Sequence, residues 1–144
     1  MALKKRTRNI LIGVLAVVII GVAYGYSEYN RKNADLSGAS ADIVVSAAQL
    51  FGEYTQNEKA ANAKYFNKII NVRGVLKSID KDHTGTVSLC LDAGDPIGGI
   101  SCELDSRHLR DAEEVHTGDS LTLTGTCSGL LTDVVLNRCA VEKK

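Results

Sequence analysis

The sequence predicts an all-β domain with a helical lead-in, a small five-stranded barrel that follows one N-terminal transmembrane helix. Two observations predict this architecture. Residues 10–26 contain no charged side chain and follow a basic leader, which is the pattern of a membrane-spanning helix. Residues 118–141 alternate apolar and small polar side chains on both sides of a turn, which is typical of two strands with one buried face. The chain of 144 residues is long enough for one domain behind such a helix.

The chain begins with a basic leader, residues 1–9, which contains Lys and Arg side chains and no acidic residue. Positive charge is retained on the cytoplasmic side of a membrane. We therefore expect the leader in the cytoplasm, residues 10–26 in the lipid bilayer, and the C-terminal domain in the periplasm or outside the cell. The chain is then a single-pass protein of the inner membrane with a signal anchor. The alternative is a secreted domain, because Ala23 and Gly25 form a small-residue pattern that a signal peptidase cleaves.

Residues 27–41 are small and polar, and they predict a linker. We place the folded domain at residues 42–144, with a helical lead-in over residues 46–64. Ser46 begins a capping-box pattern for a first short helix, and Asn57 is placed to cap a second one. We expect these helices to cover an open end or edge of the sheet that follows.

From Ile69 onward the hydrophobic pattern has a period of two residues, which indicates strands. The predicted order is three strands, a short helix and two further strands, with turn signals at residues 128–129 and 132–133 between the last two. This is the order of an OB-fold, a Greek-key barrel with a helix between strands three and four. The strands are predicted at residues 69–79, 87–91, 100–104, 121–127 and 134–141, and the helix at residues 106–115 with Ser106 as its cap.

A series of spaced motifs runs through the domain. They are Ala47-x-x-Leu50, Asn57-x-x-x-Ala61, Tyr65-x-x-Lys68, Val72-x-Gly74-Val75, Gly99-Ile100-x-Cys102-x-Leu104, Gly118-Asp119-x-Leu121-x-Leu123-x-Gly125-x-Cys127-x-Gly129 and Asp133-Val134-x-Leu136-x-x-Cys139. Over residues 43–141 the chain resembles the tRNA-anticodon-binding-like OB-fold family of bacterial proteins. The resemblance implies an OB-fold in a membrane-anchored or exported protein without an assigned activity. It implies no tRNA binding and carries no functional residue over to this chain.

The domain contains four cysteines, and an even number in an exported domain favours disulfides. Cys127 and Cys139 flank the last turn symmetrically, and we predict a bond between them. The same symmetry about Pro96 suggests a second pair, Cys90 with Cys102. Strand parity conflicts with this second pair because Cys90 points outward and Cys102 inward, so a bulge and the pairing Cys102–Cys139 stay open as alternatives. We expect no metal site, because the sequence contains no Cys-x-x-Cys motif.

We expect a binding or interaction module without a cofactor, and not an enzyme. No nucleophile, base and acid stand at spacings that indicate a catalytic site, although an uncharacterised enzyme stays an alternative. Nucleic-acid-binding OB-folds combine a positive groove with aromatic platforms. Residues 37–144 carry 11 basic against 15 acidic side chains, and no aromatic residue follows Phe66. Nucleic acid is therefore not an expected partner, and tRNA or single-strand binding is the alternative function; we expect an unknown protein, peptide or oligosaccharide.

The predicted working surface is the outer face of strands two and three with the loops at its border. Loops accept changes without disturbing a core, so they often carry binding residues. Two adjacent leucines between turn signals are expected to be exposed, and they either contact a partner or plug the open end of the barrel. These loops are residues 80–85 and 128–133, and we expect the loop of residues 92–99 to lie beside them. The candidate partner-binding residues are Asp92, Asp95, Leu130 and Leu131.

Overall fold

The computed structural model describes residues 5–29 and 35–142. The chain divides into two compact units, Met1–Ala34 and Asp35–Lys144. In the described part of the first unit there is one helix, α1, Lys5–Tyr29. The described elements of the second unit are, in chain order, β1 Ile43–Ser46, α2 Ala47–Gln56, α3 Glu58–Tyr65, β2 Ile69–Lys81, β3 Val87–Asp92, β4 Gly99–Leu104, a 3₁₀ helix Ser106–Glu113, β5 Ser120–Leu130 and β6 Val134–Val141.

Helix α1 has 25 residues, which at about 1.5 Å per residue exceeds the ~30 Å hydrocarbon core of a bilayer. The side chains of residues 7–29 are exposed, and the span Thr7–Tyr29 has a mean hydropathy of 2.3. The helix is therefore long and apolar enough to cross a membrane. It extends beyond the predicted residues 10–26 at both ends, because backbone hydrogen bonding continues into flanking polar residues. Residues 1–4 of the predicted leader and 30–34 of the predicted linker lie outside the described residues.

Strands β2 to β6 close the predicted five-stranded barrel. The order around it is β2–β3–β4–β6–β5, and β5 pairs back onto β2. Neighbouring strands are antiparallel, except that β4 and β6 are parallel. Closure leaves none of these five strands with a free edge. The architecture is that of an OB-fold, with the 3₁₀ helix between the third and fourth barrel strands, and the fold prediction is confirmed.

The barrel core consists of aliphatic side chains that alternate with polar ones along each strand. In β3, Val87, Leu89 and Leu91 are buried, whereas Ser88 and Cys90 are partly exposed, which is the predicted two-residue period. The fully buried side chains of the barrel include Ile70, Val72, Leu76, Leu89, Leu91, Ile100, Cys102, Leu123, Cys127, Val134, Leu136 and Cys139.

Helices α2 and α3 form the predicted lead-in, and both predicted caps are present. Ser46 Oγ accepts a hydrogen bond from the Gln49 N–H at 3.2 Å, and Asn57 Oδ1 accepts one from the Ala60 N–H at 3.1 Å. Each cap satisfies an N–H that has no partner within its own helix. The buried face of α2, which contains Leu50, Phe51 and Tyr54, covers one end of the barrel.

Strand β1 was not predicted. It pairs parallel with β2, with Ile43 opposite Ile70 and Ser46 opposite Arg73. Its β-branched residues Ile43, Val44 and Val45 are a strand signal. The strand has only four residues and leads directly into the capping box of α2, so local pattern alone did not separate it from the helix.

Residues 35–41, which were predicted as part of a linker, lie against the domain. Leu36 is only 3 % exposed, and Asp35 Oδ1 lies 2.7 Å from His108 Nε2. The predicted polar linker is therefore wrong for this part of the chain. The one large apolar side chain of residues 35–41, Leu36, provides the buried contact that holds the segment in place.

The 3₁₀ helix is shorter than the predicted helix and has a different cap. Asp105, and not Ser106, caps it, because Asp105 Oδ1 accepts a hydrogen bond from the Arg107 N–H at 3.0 Å. The Asp105 backbone is extended, with φ −62° and ψ 141°, as a cap residue requires.

Strand β5 continues through the predicted turn at residues 128–129 and ends at Leu130. The pairing of β5 with β6 shifts between Cys127 and Gly129, and Gly129 has a φ of 105°. This glycine therefore marks a β-bulge and not a turn. The connection to β6 contains only residues 131–133.

Candidate functional site

Two of the three predicted loops meet at one end of the barrel. The loop of residues 93–98 precedes β4 and the loop of residues 131–133 precedes β6. Because β4 and β6 are parallel neighbours, both strands begin at the same end of the sheet. The Gly99 N–H donates a hydrogen bond to Asp133 Oδ1 at 2.8 Å, which fixes the two loops to each other.

The third predicted loop lies elsewhere. Its turn, residues 82–86, precedes β3, whereas the loop of residues 93–98 follows the same strand. The six residues of β3 separate the two, at about 3.3 Å per residue. The prediction that residues 80–85 lie beside the other two loops is therefore wrong.

Asp92 and Asp95 hold the loop between β3 and β4 in shape. Asp95 Oδ1 accepts hydrogen bonds from the N–H groups of Gly98 at 3.0 Å and Ile97 at 2.8 Å. These two backbone hydrogen bonds lower the pKa of Asp95, since they stabilise its ionised form. Asp92 Oδ1 accepts a hydrogen bond from the Gly94 N–H at 2.9 Å. Both carboxylates thus have a local structural role, and their predicted contact with a partner stays a prediction.

The two predicted leucines differ in exposure. Leu130 is the last residue of β5 and packs half-buried against the core, so the prediction that it is exposed was wrong. Leu131 is 83 % exposed. Ile97, which the sequence analysis did not select, is also 83 % exposed and belongs to the adjoining loop. A large aliphatic residue between Pro96 and Gly98 was the signal that pointed to it. We call Ile97 and Leu131 the loop-tip pair.

The outer face of β3 and β4, where many OB-folds bind their ligands, is polar and acidic in this protein. Cys90 is paired with Ser101 across this face, and Cys90 Sγ lies 3.4 Å from Asp80 Oδ2. Burial raises the pKa of the Cys90 thiol, and the Asp80 carboxylate raises it further. Glu103 adds a second acidic group on β4. This face has neither the positive charge nor the aromatic side chains that bind single-stranded nucleic acid.

The four cysteines are free thiols in the structure. Cys90 and Cys102 lie on adjacent strands but on opposite faces of the sheet, because Cys90 is paired with Ser101 and Cys102 with Leu89. The predicted Cys90–Cys102 pair is therefore not formed, and strand parity is the reason.

The predicted Cys127–Cys139 bond is also not formed in the structure. Cys127 Sγ lies 3.3 Å from the buried Tyr54 Oη. The Cys139 thiol interacts instead with that of Cys102, and burial together with this contact raises the pKa of Cys139. The alternative pairing of Cys102 with Cys139 stays a prediction, and the two residues lie on the neighbouring strands β4 and β6.

A polar cluster that the sequence analysis did not find lies where residues 35–41 meet the 3₁₀ helix. His108 Nε2 is 2.7 Å from Asp35 Oδ1, and His108 Nδ1 is 3.3 Å from Asp111 Oδ2. A hydrogen bond from the Ser37 N–H and then the one from His108 lower the pKa of Asp35. The cluster borders a cleft of about 420 Å³. Within residues 5–29 and 35–142, no three His, Cys, Asp or Glu side chains are grouped as metal ligands.

Comparison with known proteins agrees with this architecture. The family model described as tRNA_anti-like matches residues 1–141, whereas no curated protein matches the sequence. Among solved structures, the chain is similar to a "putative nucleic acid-binding lipoprotein" from Klebsiella pneumoniae subsp. pneumoniae MGH 78578, with a TM-score of 0.58 and 23 % identity over 78 % of this chain and 100 % of that chain. A "putative aspartyl-tRNA synthetase" from Leishmania major Friedlin gives a TM-score of 0.46 and 8 % identity over 83 % of this chain and 25 % of that chain. At 23 % identity the Klebsiella structure shows a likeness of fold alone, but the family model covers nearly the whole sequence, and the chain belongs to the tRNA_anti-like family.

Proposed function

We propose that this protein is a membrane-anchored OB-fold module whose domain lies outside the cytoplasm and binds a protein partner through the loop-tip pair. The observation that carries the proposal is the exposure of Ile97 and Leu131, each 83 % exposed, on two loops that are bonded to each other. Single exposed apolar residues are common on protein surfaces. Two large aliphatic groups on adjoining, braced loops provide a surface whose burial against a partner is favourable.

Helix α1 supports the anchored part of the proposal. Its side chains over residues 7–29 are exposed, and a lipid bilayer provides the environment that such an apolar surface requires. The basic leader ahead of α1 supports a cytoplasmic N-terminus and an exported domain. The similar protein from Klebsiella is named as a lipoprotein, which is consistent with a domain held at a membrane.

The chemistry around the loop-tip pair favours a protein as the partner. Ile97 and Leu131 are aliphatic and offer no flat ring on which a base can stack. Asp95 and Asp133 belong to the same two loops, and Asp92 ends β3 directly before the first of them. Their carboxylates repel phosphate groups of nucleic acids and anionic lipids. An apolar pocket with a basic margin on another protein complements this surface in both shape and charge.

Photo-crosslinking in the native membrane tests this proposal. Ile97 of the full-length chain is replaced by a photoreactive amino acid, and the products are separated after irradiation. We expect a cross-link to a protein, and we expect Leu131→Ser to weaken it, because the two side chains form one surface. Both positions are exposed, so each substitution is expected to change the free energy of unfolding by no more than ~0.5 kcal/mol.

A matched control distinguishes this surface from apolar exposure in general. Val75 is 45 % exposed on β2, away from the loop-tip pair, and Val75→Ser is expected to leave the cross-link unchanged. Cross-links to lipid alone, or a protein cross-link that Leu131→Ser does not change, would contradict the proposed surface.

Nucleic-acid binding is the second candidate function, and the name of the Klebsiella protein favours it. This name opposes our expectation that nucleic acid is not a partner. The site would lie on the outer face of β2, β5 and β6, which carries two arginines. Arg73 is exposed and lies opposite Thr122, and Arg138 Nη2 donates a hydrogen bond to Thr126 Oγ1 at 3.0 Å. This face carries Asn and Thr side chains but no aromatic ring, and so lacks the stacking platform of such sites.

An electrophoretic mobility shift with a single-stranded oligonucleotide at low salt tests the second candidate. If it holds, Arg73→Ala weakens binding and reduces the salt slope by roughly one phosphate contact. Lys81→Ala, at the far end of β2, serves as the charge-matched control. The absence of a mobility shift at low salt would exclude nucleic-acid binding.

A further inference from the structure

The backbone of β6 is shaped so that the side chain of Cys139 faces the core. Leu136 points inward and is fully buried, so strict alternation would place Arg138 inward and Cys139 outward. The register between β4 and β6 instead shifts between the partners of Cys102 and Leu104, which is a β-bulge. Arg138 adopts a φ of 55° there, a left-handed conformation that residues other than glycine rarely adopt. The bulge turns Cys139 inward, where it is 0 % exposed.

The neighbouring strand β5 leaves space for the Cys139 sulfur. A Cβ at Gly125 would lie 2.5 Å from Cys139 Sγ and 3.3 Å from Leu136 Cβ. Any larger residue at position 125 would therefore displace the sulfur. The glycine on β5 lies opposite the bulge on β6, because the register between these strands shifts between Thr124 and Thr126.

On the other side of β6, Cys102 places a second thiol in the interior of the barrel. It is 0 % exposed on the inner face of β4, and β4 is the parallel neighbour of β6. Across the two strands, Cys102 is paired with Leu136 and Cys139 with Leu104, and after burial the nearby Cys102 thiol is the next cause that raises the pKa of Cys139. The other two cysteines have different neighbours, since Cys127 contacts Tyr54 Oη and Cys90 contacts Asp80.

We propose that Cys102 and Cys139 are a redox pair that forms a disulfide between the parallel strands β4 and β6. One thiolate attacks an incoming disulfide, either oxidised glutathione or the disulfide of a thiol oxidoreductase, which forms a mixed disulfide and releases one thiol. The second thiolate then attacks the cysteine sulfur of this mixed disulfide and releases the other thiol. The two cysteine thiols lose two electrons and two protons in total, and the incoming disulfide becomes two thiols. Both sulfurs are buried in the closed barrel, so the exchange takes place while the domain folds.

The bond would join two strands that are far apart along the chain. The loop it closes contains the 3₁₀ helix, β5 and the first part of β6. Cross-links that close long loops restrict the unfolded chain strongly, so the oxidised domain resists unfolding more than the reduced one. That the pair is oxidised in the cell rests on the proposed function, which places the domain outside the cytoplasm.

Peptide mapping of the full-length chain tests the pairing. Membranes are treated with an alkylating reagent under denaturing, non-reducing conditions, and the protein is digested and analysed by mass spectrometry. Trypsin cuts after Arg138 and so separates Cys127 from Cys139, and a protease that cuts before Asp92 and Asp95 separates Cys90 from Cys102. We expect one linked peptide pair that contains Cys102 and Cys139, and alkylated Cys90 and Cys127.

The same chain, refolded in detergent with a glutathione redox buffer, tests the pairing independently of location in the cell. We expect the Cys102–Cys139 link to form, the midpoint of unfolding to fall when reductant is added, and Cys102→Ala to abolish both effects. Cys90→Ser, on the outer face, is the control and should change neither.

The two experiments separate the two proposals. A link that forms in the redox buffer but not in the cell supports the pair and contradicts the exported location. A link between Cys127 and Cys139, or four alkylated cysteines after refolding in the oxidising buffer, overturns the proposed pair whatever the location.

Discussion

Replacing Gly125 with alanine measures how tightly the core is packed around Cys139. The new Cβ would lie 2.5 Å from Cys139 Sγ, whereas non-bonded carbon contacts are favourable at about 3.5–4.0 Å. The sulfur or the strand must therefore move by about 1 Å. Neither moves freely, because Gly125 is paired with Ile70 on β2 and Cys139 is 0 % exposed.

Two opposing effects determine the expected change in stability. Over-packing of a core costs about 1–3 kcal/mol. Gly125 does not have a positive φ, so alanine fits its backbone and gains about 0.4–1 kcal/mol by restricting the unfolded chain. Over-packing is the larger effect, and we expect a net destabilisation of about 1–2 kcal/mol.

The assay is chemical unfolding of the full-length chain in detergent, followed by circular dichroism, with reductant present so that only packing differs. Gly52→Ala is the matched control. Gly52 lies inside α2, and a Cβ there would meet no atom within 4 Å. Because alanine is a better helix former than glycine, this control should gain about 0.5–1 kcal/mol.

A double-mutant cycle with Cys139→Ala identifies the cause. If the clash with the sulfur destabilises Gly125→Ala, removal of the sulfur relieves it, and the double variant is more stable than the sum of the single changes by about 1–2 kcal/mol. Energies that add within about 0.3 kcal/mol would refute the steric explanation.

Three further predictions address other contacts. Tyr54→Phe removes the hydrogen bond to Cys127 Sγ and should lower the free energy of unfolding by about 0.5–1.5 kcal/mol; no change in thermal unfolding contradicts the contact. Arg107 holds the pKa of Asp105 well below its ordinary value, so the ionised carboxylate stabilises the folded state. This contribution to the free energy of unfolding is complete above the unfolded pKa of about 4, and it is lost as the pH falls through the lower folded pKa. Asp105→Asn should therefore make the melting temperature fall less steeply at acidic pH. The same melting temperature at every pH in the variant and the unchanged protein would argue against the ion pair. A reporter that is active only outside the cytoplasm, fused after Lys144, should be active, and activity only in a cytoplasmic reporter contradicts the proposed topology.

The local sequence pattern was enough to predict the strands of the barrel and the two helices of its lead-in. The caps Ser46 and Asn57 act on backbone groups three residues away, and the alternation in β3 reflects neighbouring residues. The apolar run that makes up most of α1 can be recognised without any tertiary contact. Of the candidate site, the sequence predicted the paired loops and the exposed Leu131, since turn signals and large apolar residues within loops are local features.

Only the tertiary structure decided which distant groups meet. The contact of His108 with Asp35 joins positions that are 73 residues apart, and no local pattern links them. The inward orientation of Cys139 depends on the bulge at Arg138, because one additional residue in a strand reverses the face of every side chain after it. Strand register and closure of the barrel thus determined which distant side chains lie together. Register and closure depend on how separate segments pack, and the order of residues within one segment does not specify that packing.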